Sequence, residues 1–184
     1  MPVVLRSATE ADAKHVESLL AELGYPSKEA DVRHRLRRSL DSDTSCFLVA
    51  QQASEVIGLV SAELVPYFPN GSTICRVTGL VVSTHHRGQG IGEKLVTGAA
   101  DFAREHHCSG IEITSAEHRL DAHRFYQRLG FSRTSLRFFH ALSTCLLLYA
   151  SQQKPTLSNR SVAVALRISS PLMTAVGRNA KNSH

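Results

Sequence analysis

The stretch Val81–Val96, VVSTHHRGQGIGEKLV, places three glycines and an arginine between an apolar run and the start of an amphipathic helix. Bare main chain at such a joint serves either a turn with positive φ or the close approach of a ligand to N–H groups. Upstream, Thr73–Ser83 reads as a strand whose end, GLVV, is apolar on consecutive residues, as in a centrally buried strand. Downstream, Ile91, Leu95, Ala99, Phe102 and His106 form a helical stripe, and Gly110 precedes a short strand, IEITS. The glycines therefore sit where a strand–loop–helix–strand crossover exposes a helix N-terminus, with its unpaired N–H groups and partial positive charge. The spacing Gly88, Gly90, Gly92 breaks the GxGxxG dinucleotide fingerprint at Glu93, and no GxxxxGK[ST] stretch supplies a P-loop. What remains is Arg87-x-x-Gly90-x-Gly92, a third arrangement.

Working outward, Val3–Arg6 suits a short strand, and Thr9 with Asp12 resembles a capping box that opens a helix. Ala13, Val16, Leu20 and Leu23 lie on one face of that helix until Gly24, Tyr25 and Pro26 stop it. A second helix is expected from Lys28 to about Leu40, with Val32, Leu36 and Leu40 inward. Cys46–Gln51 and Glu55–Val65 suggest an antiparallel hairpin, and Pro66–Gly71 breaks the pattern. A last helix carries Ala122, Phe125, Tyr126 and Leu129 and ends at Gly130, with Phe131 packing back. Phe138–Tyr149 is apolar enough for a final strand.

At 184 residues and 42% hydrophobic, the chain fits one domain, expected over residues 3–150, with an appendage at 151–184. That appendage is rich in Ser, Asn and Thr and is expected to be partly disordered. It holds Lys154, Arg160, Arg167, Arg178 and Lys181 and no acid, so the net charge of +5 belongs to it and the body is neutral. This argues against a nucleic-acid-binding body, which would carry a basic face on its folded part. No run approaches the roughly 20 apolar residues of a membrane span, and the N-terminus turns charged too early for a signal peptide. A cytoplasmic protein with no membrane partner is expected. The four cysteines lie far apart without ligand spacing, and the pairs His85-His86 and His106-His107 lack matched ligands. Reduced thiols and no metal are expected.

The motif Arg87-x-x-Gly90-x-Gly92 after a strand, together with FYQRLGF (Phe125–Phe131) at the end of a helix, resembles the GCN5-related N-acetyltransferase (GNAT) superfamily. The resemblance runs over roughly residues 3–142. It implies an α/β fold (mixed α+β): a single domain with a central, mixed, mostly antiparallel twisted sheet of six to seven strands. About four helices would flank it, and strands four and five would form a splayed parallel pair. It implies acetyl-CoA as co-substrate, with the N–H groups of Gly88, Gln89, Gly90, Ile91 and Gly92 on the pyrophosphate, and Arg87 nearby. The main chain of Leu80, Val81 and Val82 would pair with the pantetheine arm like an added strand, and an N–H near Leu80 or Val81 would polarise the thioester carbonyl.

The chemistry asks for two proton transfers. A primary amine of pKa about 10.4 must lose a proton before it attacks, and a departing thiolate leaves better when an un-ionised phenol protonates it. By the resemblance, Tyr126 is the acid beside the sulfur. The fourth strand has no carboxylate, so the base is sought elsewhere: Glu63 is favoured, with Glu112, His118 and His123 as alternatives. Many relatives carry Asn seven positions before the tyrosine where this chain has Arg119, which would face a cofactor phosphate, the acceptor or solvent. Ser115 would line the site where the fifth strand leaves the fourth. A covalent route through Cys108 lacks an orienting group. The expected activity is direct acetyl transfer to a primary amine, of a small molecule rather than a protein. The rivals are a protein or peptide acetyltransferase and a non-catalytic acyl-CoA-binding regulatory module. Oligomeric state is left open, a homodimer included.

Overall fold

A computed structural model describes residues 2–140. The expected appendage at 151–184 and most of the expected final strand lie outside these residues. The elements are β1 (Val3–Ser7), α1 (Ala13–Leu23), α2 (Glu29–Leu40), β2 (Ser45–Gln52), β3 (Glu55–Tyr67), β4 (Ser72–Val82), α3 (Ile91–Glu105), β5 (Gly110–Ile113) and α4 (Leu120–Arg128). Short 3-10 turns at Glu10–Asp12 and Thr84–His86 precede α1 and follow β4.

The strands lie in chain order in one sheet, antiparallel from β1 to β4 and parallel between β4 and β5. Among the described residues the sheet therefore has five strands rather than six to seven; Phe138–His140, where a last strand was expected to begin, form no strand. Two apolar clusters hold the layers together. Ile91, Leu95, Ala99 and Ala103 of α3 pack with Ala62, Cys75 and Val77 on one side. Val16 and Leu19 of α1 and Val32 and Leu36 of α2 pack with Val49, Leu59 and Val81 in the other cluster. The inward stripe predicted for α3 holds up to Phe102, but His106 ends the helix and is exposed, its Nδ1 2.9 Å from the Phe102 carbonyl.

The start of α1 is fixed by charge. The Arg6 guanidinium donates to both oxygens of Asp12, at 2.8 and 2.7 Å, while Thr9 N–H donates to Asp12 Oδ2 at 2.7 Å. Asp12 is buried, and the Arg6 contact, opposed by burial and aided by Thr9, holds its carboxyl down to about 2. A lowered carboxyl pKa stabilises the fold above the unfolded value of 3.8, and this stabilisation fades as pH falls toward about 2. Its ceiling is about 2 kcal/mol, reduced because Arg6 is partly open to water. Asp12→Asn is expected to lower stability at pH 7 in urea melts, with the gap to wild type closing between pH 4 and pH 2. A gap that does not depend on pH would remove the ion pair as its cause.

The sheet also creates its own opening. β4 and β5 pair only from Ile74–Gly110 to Val77–Ile113. Directly after Val77, Thr78 forms a bulge against β3, where Ala62 pairs with Val77 but Ser61 pairs with Gly79. A bulge bends its strand and sharpens the twist, so β4 turns away where β5 ends. Among the described residues, the upper half of β4, Gly79 to Val82, has β3 on one side and no strand on the other.

The described cysteines are free: Cys46 and Cys75 are buried and Cys108 partly so. Burial pushes the thiols of Cys46 and Cys75 up to about 11, which makes them inert core groups.

Candidate active site

The unpaired half of β4 is a sheet edge in the middle of the molecule. Ser83 N–H donates to the Ile57 carbonyl at 2.8 Å, and Val82 lies opposite Gly58. In an antiparallel ladder this makes Val82 and Gly58 a non-hydrogen-bonded pair, Val81 and Leu59 a bonded pair, and Leu80 and Val60 again non-bonded. The N–H and C=O groups of Leu80 and Val82 thus point away from β3 into the opening, while those of Val81 serve β3. The register splits the run of three: both main-chain groups of Leu80 and the N–H of Val82 face the opening, the Val82 carbonyl accepts from Arg87 Nε, and Val81 serves β3.

At the end of that edge the chain passes through the glycine loop into α3. Gly90 caps the helix with φ 76°, and Gly88 has φ 78°, both in the left-handed region that glycine enters without penalty. A Cβ built on either would meet nothing within 4 Å, so the space above the helix end is open. No side chain caps α3, and its first N–H groups have no intrahelical acceptor. Gly92 has a different reason to be bare: a Cβ there would lie 3.1 Å from Phe125 Cζ of α4. The absent side chain lets the start of α3 press against the aromatic pair of α4.

Tyr126 follows Phe125 in the same helix. Its ring stands edge-on to Phe125, centroids 5.3 Å apart, and to Phe131 at 5.9 Å; Phe131 N–H also donates to the Tyr126 carbonyl at 3.0 Å. Burial pushes the phenol pKa up, partly offset by the positive charge of Arg119. Tyr126 is therefore un-ionised at neutral pH, as a proton donor must be. Ser115, two residues past β5, has a buried Oγ with no partner among the described residues.

Arg119 has a partner of its own. Its Nη2 donates to the Leu23 carbonyl at 2.8 Å, so it ties the start of α4 to the last turn of α1. The expected base, Glu63, sits on β3 opposite Arg76, with Ser45 Oγ donating to its Oε2 at 2.8 Å. Arg76 in turn pairs with Glu112. Ser45, Glu63, Arg76 and Glu112 are register partners across four strands, one residue pair short of the Val77–Ile113 fork. His123 Nε2 lies 3.1 Å from the Ala116 carbonyl.

Arg87, Glu22 and Thr84 make one cluster. Arg87 Nε donates to the Val82 carbonyl at 3.2 Å, and its Nη2 is 3.9 Å from Glu22 Oε2. The same carboxylate oxygen accepts Thr84 N–H at 2.8 Å and Thr84 Oγ–H at 2.7 Å. Glu22 and Thr84 were invisible in the sequence, being far apart in the chain on elements whose packing no local pattern announces.

The site fits the donor that the motif implies: open space and free N–H groups at a helix start suit a pyrophosphate, and a free strand edge suits an arm with amide groups. Comparison with known proteins agrees. Residues 13–131 match the Acetyltransferase (GNAT) family, and the chain belongs to that family; it is an acetyl-CoA-dependent acyltransferase. It is 33% identical over 144 residues to aminoalkylphosphonate N-acetyltransferase of Salmonella typhimurium, covering 77% of this chain and 94% of that one. It is 36% identical over 96 residues to human N-acetyltransferase 8B, covering 52% of this chain and 42% of the human protein, so it spans less than half of that relative. Among solved structures, a transcriptional regulator from Bacillus halodurans superposes with a TM-score of 0.71 at 27% identity, over 77% of this chain and all of that one. No helix among the described residues is long and apolar enough to cross a membrane, and none of their His, Cys, Asp and Glu side chains cluster in threes to hold a metal.

Proposed function

We propose that this protein transfers acetyl from acetyl-CoA to the primary amine of a small molecule by direct attack, with both substrates bound together. The observation that carries this reading is the continuity of three features: the free edge of Leu80 and Val82, the open helix start at Gly88–Gly92, and Tyr126 held to that start through Phe125 and Gly92. A long flexible donor must be gripped along its length before its reactive carbon stays within attack distance.

In this reading Gly88, Gln89, Gly90, Ile91 and Gly92 bind the pyrophosphate through main-chain N–H groups, with Arg87 adding charge. Leu80 and Val82 orient the arm, and one of their N–H groups stabilises the negative charge that develops on the carbonyl oxygen. Val81 contributes its buried side chain, and Ser115 lines the opposite wall. Glu63 takes the proton from the acceptor ammonium, directly or through water, at Oε1, since Oε2 is engaged by Ser45. Tyr126 delivers its phenolic proton to the sulfur as the C–S bond breaks, and the second proton, shed by the nitrogen as the amide forms, returns to the phenolate through solvent. Arg119 holds the α4 start in place. Acetyl-CoA supplies the activated acyl group.

The bacterial relative aligned over most of its length is named for an aminoalkylphosphonate, which supports an acceptor that carries an acidic group besides its amine. The test is a panel of acceptors incubated with acetyl-CoA while free thiol is measured: aminoalkylphosphonates, amino acids, polyamines, aminoglycosides and lysine peptides. A small primary amine is expected to raise thiol release well above background. Turnover only with peptides would move the assignment to protein acetylation. Acetyl-CoA binding without turnover on any amine would replace the enzyme reading with a binding module.

A further inference from the structure

The turn Ser83–Arg87 is the only covalent joint between the free edge of β4 and the open start of α3. Its conformation sets the angle between the groups assigned to the arm and those assigned to the pyrophosphate. Inside the turn, His86 N–H donates to the Ser83 carbonyl at 2.9 Å, and Ser83 N–H is held by Ile57 of β3. Between them, Thr84 begins the 3-10 turn Thr84–His86. Its N–H and hydroxyl both go to Glu22 Oε2, from the last turn of α1, in a different layer of the fold.

The same carboxylate approaches Arg87 at 3.9 Å, while that guanidinium also rests on the Val82 carbonyl. One ionised oxygen thus touches both ends of the turn. Hydrogen bonds to a charged acceptor are stronger than neutral ones. The two from Thr84 hold Glu22 in its ionised form against the opposing pull of burial, with Arg87 adding to them. A carboxylate beside an anion site looks unhelpful at first. Here its charge is engaged by the two Thr84 donors and the Ser83 side chain, with the Arg87 guanidinium nearby, and the result is a turn whose shape is set before the donor arrives. Ordering such a segment on binding would otherwise weaken affinity.

We propose that Glu22 is a positioning residue for the acetyl donor, acting through Thr84 and Arg87 to preform the β4–α3 turn. This rests on the acetyl-CoA reading of the site. Glu22→Ala removes the acceptor and is expected to weaken CoA binding about tenfold in titration calorimetry, about 1.4 kcal/mol. Glu22→Gln keeps an oxygen for Thr84 and should bind CoA within about threefold of wild type. In steady-state assays of Glu22→Ala, KM for acetyl-CoA should rise while KM for the amine stays unchanged, and the unliganded protein should melt close to wild type.

A Glu22→Ala protein that binds CoA as well as or better than wild type overturns the proposal, because the carboxylate then does nothing or merely repels the phosphates. A parallel rise in both KM values with a large drop in melting temperature overturns it too, since Glu22 would then only hold the fold together. If wild type itself fails to bind CoA, the acetyl-CoA reading falls instead, and the two failures are distinct.

Discussion

Tyr126→Phe is expected to lower kcat for acetyl transfer by a factor on the order of 10² to 10³ and to leave KM for acetyl-CoA within about twofold. The size follows from the usual contribution of a positioned general acid. The ring packing that holds residue 126 between Phe125 and Phe131 does not need the hydroxyl, so the phenylalanine keeps the fold and loses only the proton. The effect belongs in kcat because the proton moves as the thiolate departs, after both substrates are bound. The pH profile offers a second reading. Burial raises the phenol above its ordinary 10, and only the protonated form donates. The wild-type rate should therefore hold through neutral pH and fall only above pH 10, a limb that the variant lacks. A Tyr126→Phe enzyme with wild-type kcat at pH 7 would remove Tyr126 from the chemistry and point to solvent as the proton source.

The second large effect is expected from Gly90→Asp. Residue 90 is the cap of α3, where aspartate is a favoured residue and tolerates the left-handed backbone better than most. A negative charge there also complements the helix dipole. The Cβ enters open space, so the folding cost is confined to the strain of a side chain at φ 76°. Binding is another matter, because the new carboxylate occupies the position assigned to the pyrophosphate. Affinity for CoA should fall on the order of 100-fold, about 2.7 kcal/mol, while thermal stability falls only by the strain that Gly90→Ala shares. Gly90→Ala isolates the backbone term and should cost far less. Unchanged CoA affinity in the aspartate variant would show that the pyrophosphate lies elsewhere.

The features visible in the sequence were those carried by nearest neighbours and by period. The helical stripe of α3, the αL stop of α1 at Gly24 and the capping pair Thr9–Asp12 are local, and each appears in the structure. The glycine loop was also legible, since a strand end, bare residues and a helix start are contiguous in the chain. Contacts that cross the fold were not. The sequence reads Gly92 through its main-chain N–H alone; that a side chain there would meet Phe125, on a later helix, is a contact no local pattern announces. Leu80, Val81 and Val82 could be named as a run, but only the β3 register says whose main chain is free. Arg119 reads equally as a ligand for phosphate, acceptor or water until the Leu23 carbonyl is seen beneath it. The apolar run that opens at Phe138 has strand-like composition; Phe138–His140 form no strand, and the rest of the run lies outside the described residues.

The forked sheet carries a liability as well as a site. Unpaired N–H and C=O groups along a strand invite another chain to pair with them, which is why proteins keep such edges short, bent or covered. Here the exposed edge lies between β4 and β5, where it cannot be trimmed without losing the groove. The bulge at Thr78 bends it, and the Arg87 guanidinium sits on the Val82 carbonyl like a gatekeeper, placing a charge where an aggregating strand would dock. The same contact therefore puts a charged side chain on the strand edge, the device by which proteins discourage unwanted strand pairing.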